Sequence, residues 1–261
     1  MSAFPIYIIN LKRESRRRAF MEKQLASLGI EAIFVDAIDS RTFTGETITH
    51  LADAGALAKH PQWLNDGAVA CACSHGKAYN MFLETGAPLA LFLEDDVHLP
   101  KNLSEVLDGI VSYRFPERHV VLLHFLAFKT AKFSRATGRN FGTFTAYAPT
   151  DLSAPTTAAA YVLDRAAAKS LSTYNYPVCI PADAWGHFIE NEALEGMHCA
   201  VPPICSTEEF KSSIDYLPPA TIAGRFSNTI ERYKIPLLYS ILKQRRKRMA
   251  EKGRGNFEMV E

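Results

Sequence analysis

Leu89-Ala90-Leu91-Phe92-Leu93-Glu94-Asp95-Asp96-Val97 is the stretch that decides the fold. Five apolar residues in a row read as a strand buried on both faces, and three carboxylates stand at its end. Three adjacent negative charges repel one another and gain little from burial, so they mark the place where the strand leaves the core. In an extended segment Glu94 and Asp96 share a face and Asp95 lies on the other. Hard oxygen ligands of this kind suit Mg2+ or Mn2+, ions that keep several waters and complete their shells with substrate phosphates. An acidic strand-to-loop corner is the plainer reading of an isolated Glu-Asp-Asp, so the surrounding sequence has to weigh between the two.

Upstream, Pro5 to Asn10 reads as a second buried strand. Ser15 is placed to cap a helix over Arg16 to Leu28, with Met21, Leu25 and Leu28 on one face and Gly29 as its stop. Ala32 to Val35 is a short strand after it. A β-α-β opening predicts parallel pairing and a doubly wound sheet. Residues 40–66 are less regular. Asp66 is expected to cap a helix through Glu84. Downstream, strands are expected at His119 to Phe128, Thr143 to Tyr147 and Tyr161 to Leu163, with a helix from Arg165 to Leu171. Pro181 to Glu195 reads as helical with Pro in its first turn, and Cys199 to Ile204 as extended. Pro218-Pro219 punctuates the end of the main domain, giving a domain at 1–217 and a basic helical tail at 218–261.

The 261 residues fit one large α/β domain with a small appendage, and 48% hydrophobic with 22% charged residues is the composition of a globular protein. A formal net charge of +1 gives no pull toward nucleic acid, and no nucleic-acid partner is expected. Five cysteines (Cys71, Cys73, Cys179, Cys199, Cys205) form no zinc-knuckle spacing. Their odd number and the absence of a signal-like N-terminus predict reduced thiols and a cytoplasmic location. No stretch is apolar enough to span a membrane. An apolar Ile235 to Leu242 followed by basic Lys243 to Arg248 predicts peripheral contact with an anionic inner-membrane surface, against an equally weighted reading as a tail helix packed on the domain.

Candidate chemistry collects at predicted strand ends, the edge where open parallel sheets bind ligands. Asn10, Leu11 and Arg13 follow the first strand, and Arg13 and Arg17 are spaced to aim at one anionic group. Asp36 and Asp39 follow the second, where an acidic residue accepts from ribose hydroxyls. No G-x-G-x-x-G and no P-loop is present, so a nucleotide here would be held through a bridging metal. Cys71 and His75 are helical neighbours, but a thiol nucleophile is the weaker reading of a Cys that fits a core. Ser74 and His75 can instead present polar groups to the ligand edge. Asp183 stands near a helix start beside Trp185, where an ionised carboxylate next to an aromatic platform suits deprotonation of a sugar hydroxyl; a first-turn helix cap is the competing reading.

Taken in order, Ile9-Asn10-Leu11-x-Arg13-x-x-x-Arg17, Val35-Asp36-Ala37-Ile38-Asp39, Gly67 to His75, Leu93-Glu94-Asp95-Asp96-Val97, Ala160-Tyr161-Val162-Leu163 and Pro181-x-Asp183 resemble glycosyltransferase family 25, the bacterial lipooligosaccharide galactosyltransferase-like group. The resemblance runs over residues 4 to 215. It implies a GT-A fold, that is, a Rossmann-like mixed sheet flanked by helices. It also implies a metal-dependent inverting transfer from a UDP-sugar, typically UDP-galactose, to a lipid-linked oligosaccharide acceptor. By the same resemblance Asp96 is the metal ligand for Mn2+ or Mg2+. Asn10, Leu11, Arg13, Asp39, Ser74, His75, Glu94 and Asp95 line the donor, and Asp183 is the catalytic base. The chain departs from the family pattern at Gly67-Ala68-Val69-Ala70, where a customary glutamate is missing at position 68. A non-catalytic nucleotide-sugar-binding protein of the same fold and a metal-dependent phosphohydrolase are the alternatives.

Overall fold

The computed structural model describes residues 4–61, 63–113, 116–207 and 256–261. β1 (Ile6–Asn10) is buried along its whole length. α1 (Ser15–Leu28) follows, and Gly29 ends it with φ 65, its amide reaching the carbonyls of Ala26 and Leu25. Ser15 is the first helical residue rather than the cap; Glu14 holds the cap position without a side-chain bond. β2 (Ile33–Asp36) pairs parallel with β1, as the β-α-β reading requires. The irregular stretch holds two short helices, α2 (Gly45–Leu51) and α3 (Ala54–Lys59), whose first turns are capped by Thr44 and Asp53. α4 (Asp66–Leu83) is capped by Asn65, whose Oδ1 accepts from the Ala68 amide at 3.0 Å, so Asp66 is inside the helix and not its cap.

β3 (Leu89–Glu94) is the strand expected from the apolar run, with every residue from Leu89 to Leu93 buried. After it come β4 (Val97–His98), α5 (Leu103–Ser112) and β5 (His119–Leu122). β5 is shorter than expected. The chain leaves the sheet after Leu122, yet Leu123, His124, Phe125 and Ala127 remain buried; the apolar run reports burial, not extension. β6 (Ala131–Ser134), β7 (Arg139–Asn140) and β8 (Thr145–Tyr147) precede β9 (Ala160–Asp164) and α6 (Arg165–Tyr174). The expected helix at 181–195 is reduced to α7 (Trp185–Glu190); residues 181–184 form a turn in which the Ala184 amide donates to Pro181 O. β10 (Gly196–Ala200) and β11 (Ser206–Thr207) follow.

The main sheet runs β2-β1-β3-β9-β5-β10-β8-β7. β1, β2 and β3 are mutually parallel, as are β5 and β10, while β9 runs antiparallel between β3 and β5. The sheet is therefore mixed, and one edge gathers the C-terminal ends of β1, β2, β3 and β5 with the N-terminal end of β9. One face packs on α4, α6 and α7 through Tyr7, Val69, Phe82, Phe92, Tyr161 and Trp185. The other packs on α1 and α5 through Ile8, Met21, Leu25, Leu91, Val106 and Ile110. Fully burying each large side chain contributes about 1.5–3 kcal/mol, which is why the two apolar layers fix the sheet between them.

Residues 208–255, which include Pro218-Pro219, the basic cluster and most of the tail expected at 218–261, lie outside the described residues. Where the chain is described again it is a strand and not a helix. β12 (Phe257–Val260) pairs parallel with β6, and Phe257 packs edge-on against Phe125 and Phe133. No helix among the described residues is long and apolar enough to cross a membrane.

Candidate functional site

The acidic turn after β3 lies at the gathered edge. Asp95 turns toward β1 and α1: its carboxylate accepts from Asn10 Nδ2 at 2.7 Å and from Arg17 at 2.7 Å, and all three side chains are buried or nearly so. Arg17 also lies 3.3 Å from Asp96. Burial raises the Asp95 carboxyl and the guanidinium beside it pulls it back down. Arg17 and Arg13 therefore do not converge on one outside anion. Arg17 belongs to the buried stripe Arg17-Met21-Leu25 of α1 and neutralises the turn from within. The side chains of Asn10 and Asp95 are engaged with each other, so what they do in this structure is lock the ends of β1 and β3 together.

Glu94 and Asp96 are left to the site. Asp96 is mostly buried, and its Oδ1 has no hydrogen-bond partner. Burial first and the charge of Glu94 second push its carboxyl up to about 7. Glu94 Oε1 lies 3.8 Å from Nε2 of His75, which is buried and also has no hydrogen-bond partner. The other ring nitrogen of His75 is held at 2.6 Å by the Tyr161 hydroxyl, itself 2.8 Å from the Tyr79 hydroxyl. Burial raises the Tyr161 phenol well above its ordinary range, so it stays protonated.

Asp183 borders the same cluster from the turn before α7. Its carboxyl is raised by burial and then by Glu94, and is held back by amides of its own backbone and of Thr157 and by His75. It precedes α7 rather than lying in its first turn, and the cap position is held by Ala184, so Asp183 is not the helix cap. Trp185 is fully buried and donates Nε1–H to Thr157 O at 2.9 Å, so it is a core residue and offers no platform to a sugar. Thr157 itself has φ 82, an uncommon conformation for a β-branched residue.

A second charged group forms at the ends of β1 and β2. Arg13 pairs with Asp39 and, at 3.4 Å, with Glu14; Asp39 also receives Arg41. These contacts pull the Asp39 carboxyl well below its ordinary value, the Arg41 hydrogen bond contributing most. Lys12 reaches Asp36 at 3.0 Å. Leu11 carries the turn by accepting from the Glu14 amide. The Ser74 hydroxyl is engaged within the fold: it donates to Ala70 O and accepts from the Ile38 amide, tying the segment after β2 to α4. A cavity of about 440 Å³ opens beside α4, with Ile38, Cys73, His75, Lys77, Tyr176 and Phe188 in its wall, large enough for a small ligand.

The residues present suit a hard divalent ion at Glu94 and Asp96. A buried carboxylate oxygen without a partner, raised by a second carboxylate, is what a cation would satisfy. Cys71 is a poor nucleophile, since burial and the charges of Glu94 and Asp183 raise its thiol well above its ordinary value. Thr157 and Tyr79 escaped the sequence reading, and Arg17 and Tyr161 were read there in other roles, as an anion-binding arginine and a strand residue. Only Arg17 left a signal, a cation spaced i, i+4, i+8 on the apolar stripe of α1.

Sheet, acidic turn and raised carboxylates define a mixed α/β protein with an acidic site at its strand ends. A family model described as glycosyltransferase family 25 (LPS biosynthesis protein) matches residues 3–185, and the chain belongs to that family. A putative glycosyltransferase of Haemophilus influenzae is 31% identical over 119 residues, 45% of this chain and 40% of that protein. The probable inactive glycosyltransferase 25 family member 3 of Rattus norvegicus is 30% identical over 110 residues, 41% of this chain and 19% of that protein. The chain thus matches less than half the length of these relatives. A solved glycosyltransferase involved in the glycosylation of the major capsid of PBCV-1 covers 80% of this chain and 94% of its own at a TM-score of 0.35 and 12% identity.

Proposed function

We propose that the chain is a metal-dependent inverting glycosyltransferase that moves a hexose, galactose from UDP-galactose, onto a lipooligosaccharide or lipopolysaccharide oligosaccharide. The observation that carries the reading is the partnerless, buried Asp96 Oδ1 beside Glu94, with Asp183 across the same cluster. Asp96 and Glu94 would hold Mn2+ or Mg2+, which neutralises charge on a departing diphosphate. Asp183 takes the proton of the acceptor hydroxyl as that oxygen attacks the anomeric carbon. Burial and the charge of Glu94 raise the Asp183 carboxyl, which makes its ionised form a stronger base than an ordinary aspartate. The Thr157 amide holds it in place. Arg13, beside Asp39, is available to the nucleotide at the ends of β1 and β2.

A second reading, a non-catalytic nucleotide-sugar binder, is favoured by one contact: Arg17 already places a guanidinium 3.3 Å from Asp96. The test is transfer from UDP-galactose to a lipooligosaccharide-derived acceptor with and without Mn2+, with Asp183→Asn beside the wild type. The proposal expects Mn2+-dependent product of inverted anomeric configuration by NMR, and a loss of about 10² or more in the variant. A wild type that binds the UDP-sugar but never forms product, with any UDP-hexose offered, supports the second reading instead.

A further inference from the structure

We infer that Cys71, His75 and Glu94 form a three-ligand site for a thiophilic divalent ion of the Zn2+ class, separate in ligand chemistry from the all-oxygen pair Glu94–Asp96. Cys71 and His75 are one helical turn apart on α4 and so share a face. Glu94 comes from the end of β3. One ligand atom from each lies within 4.8 Å of the other two, a grouping of three such side chains among the described residues. Ligand atoms around tetrahedral zinc stand about 3.3–3.8 Å apart, from bonds of about 2.0–2.3 Å. The His75–Glu94 pair, at 3.8 Å, is already at that spacing, and small side-chain rotations bring in the sulfur.

His75 is prepared for the role. Its Nε2 is buried, partnerless and aimed at Glu94, while Nδ1 is fixed by Tyr161 at 2.6 Å. With Nδ1–H donating to the Tyr161 oxygen and the Tyr161 hydroxyl donating to Tyr79, the Nε2 lone pair is free for a metal. This is the outer hydrogen bond that metal-binding histidines use. One thiolate and one imidazole select Zn2+ or its surrogate Co2+ over Mg2+ and Mn2+. Three protein ligands leave a fourth position open, in the neighbourhood of Asp183. Because Glu94 is common to both sites, an ion on Cys71 and His75 would compete with the transfer reaction proposed above; that consequence rests on the proposed function, whereas the site itself does not.

The probe is Co2+ titrated into the full chain after removal of metals by a chelator. Wild type is expected to show the near-ultraviolet thiolate-to-cobalt charge-transfer band and tetrahedral visible bands. Cys71→Ser should abolish the thiolate band and weaken binding about 10–100-fold or more, the scale known for losing even an outer-shell partner. Asp96→Asn should leave the band in place. No thiolate band in the wild type, a band that survives Cys71→Ser, or one lost in Asp96→Asn overturns the site. Should Cys71→Ser fail to fold by circular dichroism, alkylation of wild-type Cys71 read by mass spectrometry decides: protection by Co2+ supports the site, and none overturns it. The band is read without donor, acceptor or turnover, so failure of the transferase reading leaves this result standing, and the reverse.

Discussion

Asp96 shows how a single carboxylate can trade stability for binding. Its folded carboxyl titrates near 7 against an ordinary 3.8, so between these values the native chain holds a proton that the unfolded chain has lost. The stability tied to that proton is fully present below the unfolded value and is lost as pH rises through about 7. Asp96→Asn should therefore be more stable than wild type at pH 8 in chelator, by on the order of 2–4 kcal/mol, and the gain should fade toward pH 4. Mn2+ should raise the melting temperature of wild type and leave the variant unmoved. Thermal melts across pH with and without Mn2+ test both halves, and a variant less stable than wild type at pH 8 would contradict the assignment. Thr157 makes a parallel case. Its positive φ costs about 1–3 kcal/mol, while its backbone carbonyl serves Trp185 and its amide serves Asp183. Thr157→Gly keeps both groups and should gain about 1 kcal/mol by urea unfolding with transfer retained; a loss of that size would show that the side chain is needed. At this scale the sequence was partly legible. Adjacent carboxylates announced themselves, but the sharing of Asp95 by Asn10 and Arg17 arises from pairing across β1, α1 and β3, and Thr157 reaches Asp183 only because β9 lies antiparallel beside β3.

Elements were read best where composition leaves one choice. The apolar runs of β1, β3 and β9 are covered on both faces, so burial and extension coincide. They part after Leu122, where four buried residues, Leu123, His124, Phe125 and Ala127, need not be a strand. They part again at 181–195, where Pro181 and a turn delay the helix to Trp185. α2 and α3 are too short for a periodic signal, although Thr44 and Asp53 mark their starts. α7 also shows how an element seats the site. A Cβ on Gly186 would lie 2.7 Å from Leu152 O and 2.9 Å from Leu152 C, a contact with backbone that a rotamer change cannot relieve. Gly186→Ala should push α7 away from the 152 segment and cost about 1–3 kcal/mol. Because the turn carrying Asp183 runs directly into α7, transfer should fall more than donor binding. Denaturant melts together with kcat and Kd measurements separate the two effects, and an unchanged melt would show that the segment yields freely.

At the scale of the whole molecule, the C-terminal strand changes how the tail must be tested. Phe257 and Met259 pack on the core beside Phe125 and Phe133. Ending the chain at residue 255 should lower stability by roughly 2–4 kcal/mol, given about 1.5–3 kcal/mol for a fully buried large side chain. Truncation therefore cannot isolate membrane contact. Replacing Lys243, Arg245, Arg246, Lys247 and Arg248 with Gln keeps the strand and removes the charge. Each basic residue near an anionic leaflet contributes about 1 kcal/mol, so flotation with phosphatidylserine-containing vesicles at low salt should recover wild type and not the variant. Equal recovery of the two, or none of either, rejects surface anchoring.

The pairing of β12 with β6 also orders events in time. Its contacts join positions 126 residues apart in the chain, as Thr130 and Asn256 record. A ribosome adds about 5–20 residues per second, so the edge of β6 waits on the order of ten seconds for its partner after it is made. During that interval β6 lacks this partner strand and Phe125 and Phe133 lack their contacts with Phe257, and an unpaired strand edge is where nascent chains pair wrongly. Pairing of the four-residue β12 is thus the late step that closes this strand edge of β6.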